Sequence, residues 1–126
     1  MNDRQNVQLL LGMAKKELSA LAGMEDGQVF SDEIFGFHAQ QIIEKCCKAW
    51  IALSNQMYPF THDLSLLLQQ LEESGFQVAH LWDYTEMTAF AMNIRYEGID
   101  ETAVPLDRSA IIKDMRALYE SVVNRI

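Results

Sequence analysis

Apolar residues recur along this chain at steps of three and four, the period of helices that each bury one face. Over residues 4–22 the seam is Val7, Leu11, Ala14, Leu18 and Leu21, with Lys15, Lys16 and Glu17 lying off it. This predicts a first helix, ended by the acidic loop between Gly23 and Gly27. The stretch from Ser31 to Met57 predicts a longer, central helix. Ser31 suits the N-cap, and Asp32 and Glu33 sit where the helix dipole favours negative charge. Ile34, Phe35, Ile42, Ile43, Cys46, Ala49, Trp50 and Leu53 cover most of its circumference, so it should be buried among the others. It should stop before Tyr58-Pro59, because a residue preceding proline avoids helical geometry.

A third, short helix is expected after Thr61-His62-Asp63-Leu64, capped by Thr61 or Asp63. Its inner face is Leu64, Leu67, Leu68 and Leu71, and Ser74-Gly75 closes it. A fourth helix is expected from about Gln77 to Tyr96, with Val78, Trp82, Thr85, Ala89, Met92 and Tyr96 on its seam. Residues 97–106 are expected to form an acidic loop. Asp107 then caps a fifth helix with Ile111, Met115, Leu118 and Val122 inside. Strand-like alternation, repeats and low-complexity tracts are lacking. The expectation is an all-α, up-and-down antiparallel bundle of four to five helices, formed as one domain over residues 1–126.

The central helix breaks its own pattern once. At about 100° per residue, Gln41, Glu44, Lys45 and Lys48 fall within an arc of roughly 100°. Glu44 and Lys48 stand in the favourable order for an ion pair, and Gln41 is one turn from Lys45. Such a stripe is either a solvated helix edge or the lining of a cleft or dimer seam. In the second case every polar group must be paired, and the two lysines would offer positive charge to an anion.

Composition narrows the partners. The chain has 126 residues, 49% of them hydrophobic, and a net charge of −8. That is enough for one core and excludes disorder. The acidic balance argues against unaided binding of a nucleic-acid backbone. Cys46 and Cys47 are adjacent and have no other cysteine to pair with, which fits a reduced, cytoplasmic setting and thiols used in packing. The start, MNDRQNVQLL, has neither a cationic opening nor a long apolar run, so no signal peptide is expected, and no stretch is long enough for a membrane span.

Candidate chemistry is sparse. HExxH, CxxC pairs, calcium loops, phosphate-binding glycine loops and nucleophile elbows are missing, so neither metal nor cofactor is expected. His62 beside Asp63 is open to two readings: a turn with a helix cap, or an acid–base pair. His38 and His80 stand alone as packed or exposed helical residues. Arg95 and Tyr96 close the fourth helix, where an arginine either complements the dipole or clasps a phosphate or carboxylate.

The run FHAQQIIEKCCKAWIAL, then YPFTHDLSLLLQQL, and later NIRYEG resemble the HEPN domain family (higher eukaryotes and prokaryotes nucleotide-binding), most closely over residues 37–98. The resemblance implies a helical bundle similar to the substrate-binding domain of kanamycin nucleotidyltransferase. It also implies homodimers, and a neighbouring minimal nucleotidyltransferase in a toxin–antitoxin-type pair. Gln41, Glu44, Lys45, Lys48, His62, Asp63, Arg95 and Tyr96 are the polar positions it marks as ligand-binding. Members that cut RNA carry an arginine followed four to six residues later by histidine. No arginine here has a histidine at that spacing, and Glu97 stands where members often have proline after Arg-Tyr. The implied function is an accessory dimer that is not an enzyme, binds a nucleotide-like anion and partners a nucleotidyltransferase. The alternatives are a ribonuclease toxin using His62 and Arg95, and a purely structural dimerisation module.

Overall fold

The computed structural model describes residues 3–85 and 106–126. These residues form α1 (Asp3–Ala22), α2 (Asp32–Leu53), α3 (Leu64–Glu73), a 3-10 helix (Ala79–Tyr84) and α4 (Arg108–Val123). The protein is an all-helical bundle, with no strand among the described residues. Each expected cap is made. Ser31 Oγ accepts from the Ile34 amide, Asp63 Oδ1 from the Ser65 amide and Asp107 Oδ1 from the Ala110 amide. Each of these bonds satisfies one amide that a helix start leaves without an internal partner.

α2 is the hub, packing against α1, α3 and α4. Cross-links give the directions. Glu17 near the end of α1 meets His38 near the start of α2, while Asn6 near the start of α1 meets Tyr58 beyond the end of α2. The two helices are therefore antiparallel. Arg108 at the start of α4 reaches Asp32 at the start of α2, and Arg125 just past α4 lies over Trp50 near the end of α2. α4 thus runs with α2 and against α1. The seam residues predicted for the first, third and fifth helices are all buried. On α2, Phe35, Ile42, Ile43, Cys46, Ala49 and Trp50 are buried too, but Ile34 is 47% exposed. Ile34 shares a face of the rod with Phe37, which is 51% exposed, and with the half-buried Gln41 and Lys45, whereas Phe35 beside it turns inward and is fully buried.

Two expected boundaries are corrected. The central helix ends at Leu53 instead of continuing to Met57. Ser54 caps it, Asn55 takes a left-handed φ of 64°, and the amides of Asn55 and Gln56 bond back to the carbonyls of Ala52 and Ile51. That pair of bonds is a Schellman closure, and asparagine tolerates its left-handed residue. The same closure ends α3 as expected, with Gly75 at φ 90° and Phe76 bonded back to Leu71. The second correction concerns the fourth helix. Its first turns, Ala79–Tyr84, are 3-10 and not α-helical. Val78 at the N-cap position supplies no side-chain acceptor, and the Leu81 amide bonds to the Val78 carbonyl three residues back. The expected remainder of that helix, with Ala89, Met92, Arg95 and Tyr96, lies outside the described residues, as does the acidic loop up to residue 105.

Residues 54–63 fold back along α2. The Met57 carbonyl accepts from Gln70 Nε2, Gln56 Nε2 donates to Ser74 Oγ, and Gln40 Nε2 donates to the His62 carbonyl. α3 therefore starts beside the middle of α2 and ends beside its C-terminus, running in the same sense. This return brings His62 to the polar stripe.

A buried carboxylate hub as the candidate functional site

The α2 stripe is not a solvated edge. The Glu44 side chain is fully buried and Lys48 is nearly so, while Gln41 and Lys45 are half-buried. Glu44 Oε2 accepts from Lys45 Nζ at 3.1 Å and from Lys48 Nζ at 3.4 Å. Lys45 Nζ also reaches Gln41 Oε1 at 3.5 Å, so both intrahelical pairs read from the spacing are present. Glu44 Oε1 faces His62 Nδ1 at 2.8 Å. An ionised carboxylate only accepts, so Nδ1 carries the hydrogen in that contact. The opposite ring nitrogen, Nε2, belongs to a side chain 82% exposed to solvent.

Two forces act on the Glu44 carboxyl. Burial alone raises its pKa. The hydrogen bonds from His62 and Lys45 and the charges of Lys45 and Lys48 outweigh that, holding it below the ordinary value of 4.5. The hub therefore stays ionised at neutral pH. Counted locally, one carboxylate faces two ammonium groups and an imidazole. The centre is net positive, on a chain whose total is −8. Tyr58 supports it from below: the Lys48 ammonium lies 5.7 Å from the ring centroid, and the Tyr58 hydroxyl accepts from Asn6 Nδ2 at 2.8 Å.

Of the residues predicted for the site, Gln41, Glu44, Lys45, Lys48 and His62 come together. Asp63 does not act with them, because its carboxylate is taken by the Ser65 amide and hydroxyl at the head of α3. Arg95 and Tyr96 lie outside the described residues. Gln40, Tyr58 and Asn6 were not singled out by the sequence, since each acts through a contact with a distant segment that leaves no local pattern. His38 is not solitary: its Nδ1 meets Glu17 at 2.5 Å. His80 is exposed.

The described residues hold no group of three or more His, Cys, Asp or Glu placed to bind a metal ion. Cys46 and Cys47 are fully buried, and burial pushes both thiols up, Cys46 to about 12. Two clefts, of about 550 and 480 Å³, are lined respectively by residues such as Arg4, Leu53 and Ile126, and by residues such as Glu25, Asp32 and Arg108. Neither is lined by a residue of the Glu44 hub.

A family profile described as the HEPN domain matches residues 7–126. The chain belongs to the HEPN family. No curated protein and no solved structure matches it. In this HEPN protein the stripe of the second helix and the histidine of the THDL turn form one hydrogen-bonded unit. Its five arginines are Arg4, Arg95, Arg108, Arg116 and Arg125, and its last histidine is His80, so the arginine–histidine spacing of the RNA-cutting members is missing from the sequence. No described helix is long and apolar enough to cross a membrane.

Proposed function

We propose that this HEPN protein binds a phosphate-bearing, nucleotide-like anion at the Glu44 hub, as a non-catalytic homodimer that partners a minimal nucleotidyltransferase in a toxin–antitoxin-type module. The observation that carries the anion site is the charge imbalance around Glu44. One carboxylate cannot neutralise two lysines, and each ammonium has three donors. Lys48 spends one on Glu44, and Lys45 spends two on Glu44 and Gln41. The remaining donors, with His62 at the solvent edge, suit an incoming phosphate. Gln41 and Glu44 orient the cations. Arg95, at the end of the expected fourth helix, is the further cation the family resemblance marks for this ligand. The dimer and the nucleotidyltransferase partner rest on family membership, and the acidic surface suits docking on a basic partner.

Calorimetric titration with ATP and GTP tests the site, on the chain alone and with any co-purified partner. Binding weakened by Lys45→Ala supports the assignment. Silence at millimolar nucleotide in both preparations removes it.

One observation favours a second reading, a ribonuclease. A buried carboxylate that holds Nδ1 of an imidazole leaves Nε2 outward as a proton acceptor. Growth arrest on expression, abolished by His62→Ala or Arg95→Ala, would select it over the non-catalytic reading.

A further inference from the structure

Next to this hub stands a feature the anion reading leaves unused. Phe60 is fully exposed and Met57 is 91% exposed, on the segment that folds back over α2. The segment is not loosely held. Tyr58 is bonded to Asn6, the Met57 carbonyl to Gln70, Gln56 to Ser74, and the His62 carbonyl to Gln40. Leaving a phenyl ring in water forgoes roughly 1.5–3 kcal/mol of burial. Here the ring projects from backbone pinned on both sides. Two residues of chain span at most about 7 Å, so Phe60 stands within that reach of His62 at the backbone.

We infer that Phe60 is a stacking platform for the planar base of the ligand, so that the hub takes nucleotides in preference to simple phosphate anions. This rests on the anion site proposed above and names its ligand class. The segment offers two halves: cations with unspent donors around Glu44, and a fully exposed apolar ring two residues before His62 in the chain. A nucleotide carries the matching halves one sugar apart. Stacking on an aromatic side chain is indifferent to base identity, because every base presents a π-face. Lys45, Lys48 and His62 hold the phosphates, and Phe60 holds the base.

The test compares ATP with tripolyphosphate, which carries a similar charge and no base, on the full chain by calorimetry. Wild type should bind ATP about tenfold more tightly, the scale of one base stack. Phe60→Ala should remove that advantage and leave tripolyphosphate unchanged, and Phe60→Trp should restore it. Phe60 is fully exposed, so these variants are expected to keep the wild-type fold, checked by circular dichroism. Equal affinity for the two ligands in wild type overturns the platform and leaves the anion site standing. Equal weakening of both by Phe60→Ala also overturns it. Loss of a co-purifying protein with no change in ATP affinity reassigns Phe60 to protein docking and overturns it too. No binding of either ligand removes the anion site itself.

Discussion

His62 Nδ1 lies 2.8 Å from Glu44 Oε1 although the two residues stand eighteen positions apart in the chain. The contact joins two segments that sequence patterns describe independently, the stripe on α2 and the turn before α3. It exists because the chain leaves α2 at Leu53, returns along the helix and is tethered there by Gln40. Capping of α3 by Asp63 completes the placement: with the neighbouring carboxylate occupied by Ser65, Glu44 is the acid His62 meets. Local helix chemistry thus sets the geometry of a non-local charge cluster.

That cluster makes stability depend on pH in a definite direction. The native Glu44 carboxyl sits below its ordinary value of 4.5. The native state therefore holds this proton less readily than the unfolded chain, and the contribution is fully present above the ordinary value. It is lost as pH falls through the lowered native value. Melting temperature followed from pH 6 to pH 3 should drop more steeply for wild type than for Glu44→Gln. Parallel curves would contradict this.

Removing the carboxylate altogether has a larger effect. Glu44→Ala leaves Lys48 nearly buried beside Lys45 with no counter-charge, a situation that costs about 3–5 kcal/mol when a buried pair is broken. Lys48→Met on the same background removes the stranded charge and keeps an unbranched side chain. It should recover part of the loss in urea unfolding. An additive double mutant would show that the two residues are not coupled.

Much of this fold is legible in the sequence because each helix carries a continuous seam and a capping residue. Val7 to Leu21, Leu64 to Leu71 and Ile111 to Val122 are buried as their spacing requires, and Ser31, Asp63 and Asp107 cap as their position requires. The end of α2 was less legible. Tyr58-Pro59 bounds the helix, but Ser54-Asn55 ends it earlier through a closure that needs only one left-handed residue. For the site, the stripe declares its polar members but not their burial. That depends on the return of residues 54–63, which has no periodic signal.

Arg108 is the residue the pattern concealed. It opens α4 directly after the capping Asp107, yet its guanidinium is buried. It donates to the carbonyls of Met24 and Phe30 and to Asp32 Oδ1, all at 2.7–2.8 Å, and lies 4.8 Å from the Phe35 ring centroid. It thereby clamps the α1–α2 loop to the start of α4. Arg108→Ala strands two carbonyls and a carboxylate and should cost about 3 kcal/mol. Arg108→Lys should rescue little, because an ammonium cannot reproduce the planar fork. Chemical denaturation of the two variants, with an unchanged slope, checks both statements.

Gly75 gives a test of backbone conformation alone. Its φ is 90°, and a Cβ placed there would meet nothing within 4 Å. Gly75→Ala should therefore destabilise by about 1–2 kcal/mol through left-handed strain without steric clash. Gly75→Asn should cost less, as asparagine tolerates that region. Equal urea midpoints for Gly75→Ala and wild type would show that the α3 closure does not depend on this glycine.

The paired thiols provide a readout of the core around α2. Cys46 is fully buried and burial pushes its thiol up to about 12, while Cys47, also fully buried, is pushed higher still. Thiolate is the reacting form, so at pH 8 only roughly one Cys46 in ten thousand is ionised. Burial also bars the reagent from reaching it. A disulfide reagent such as DTNB should label neither cysteine in the folded protein at pH 8 and both in denaturant. Residual labelling under native conditions should follow the unfolding free energy and accelerate in Glu44→Ala. Rapid labelling of native wild type would mean that the core opens locally at the middle of α2, where the carboxylate hub is anchored.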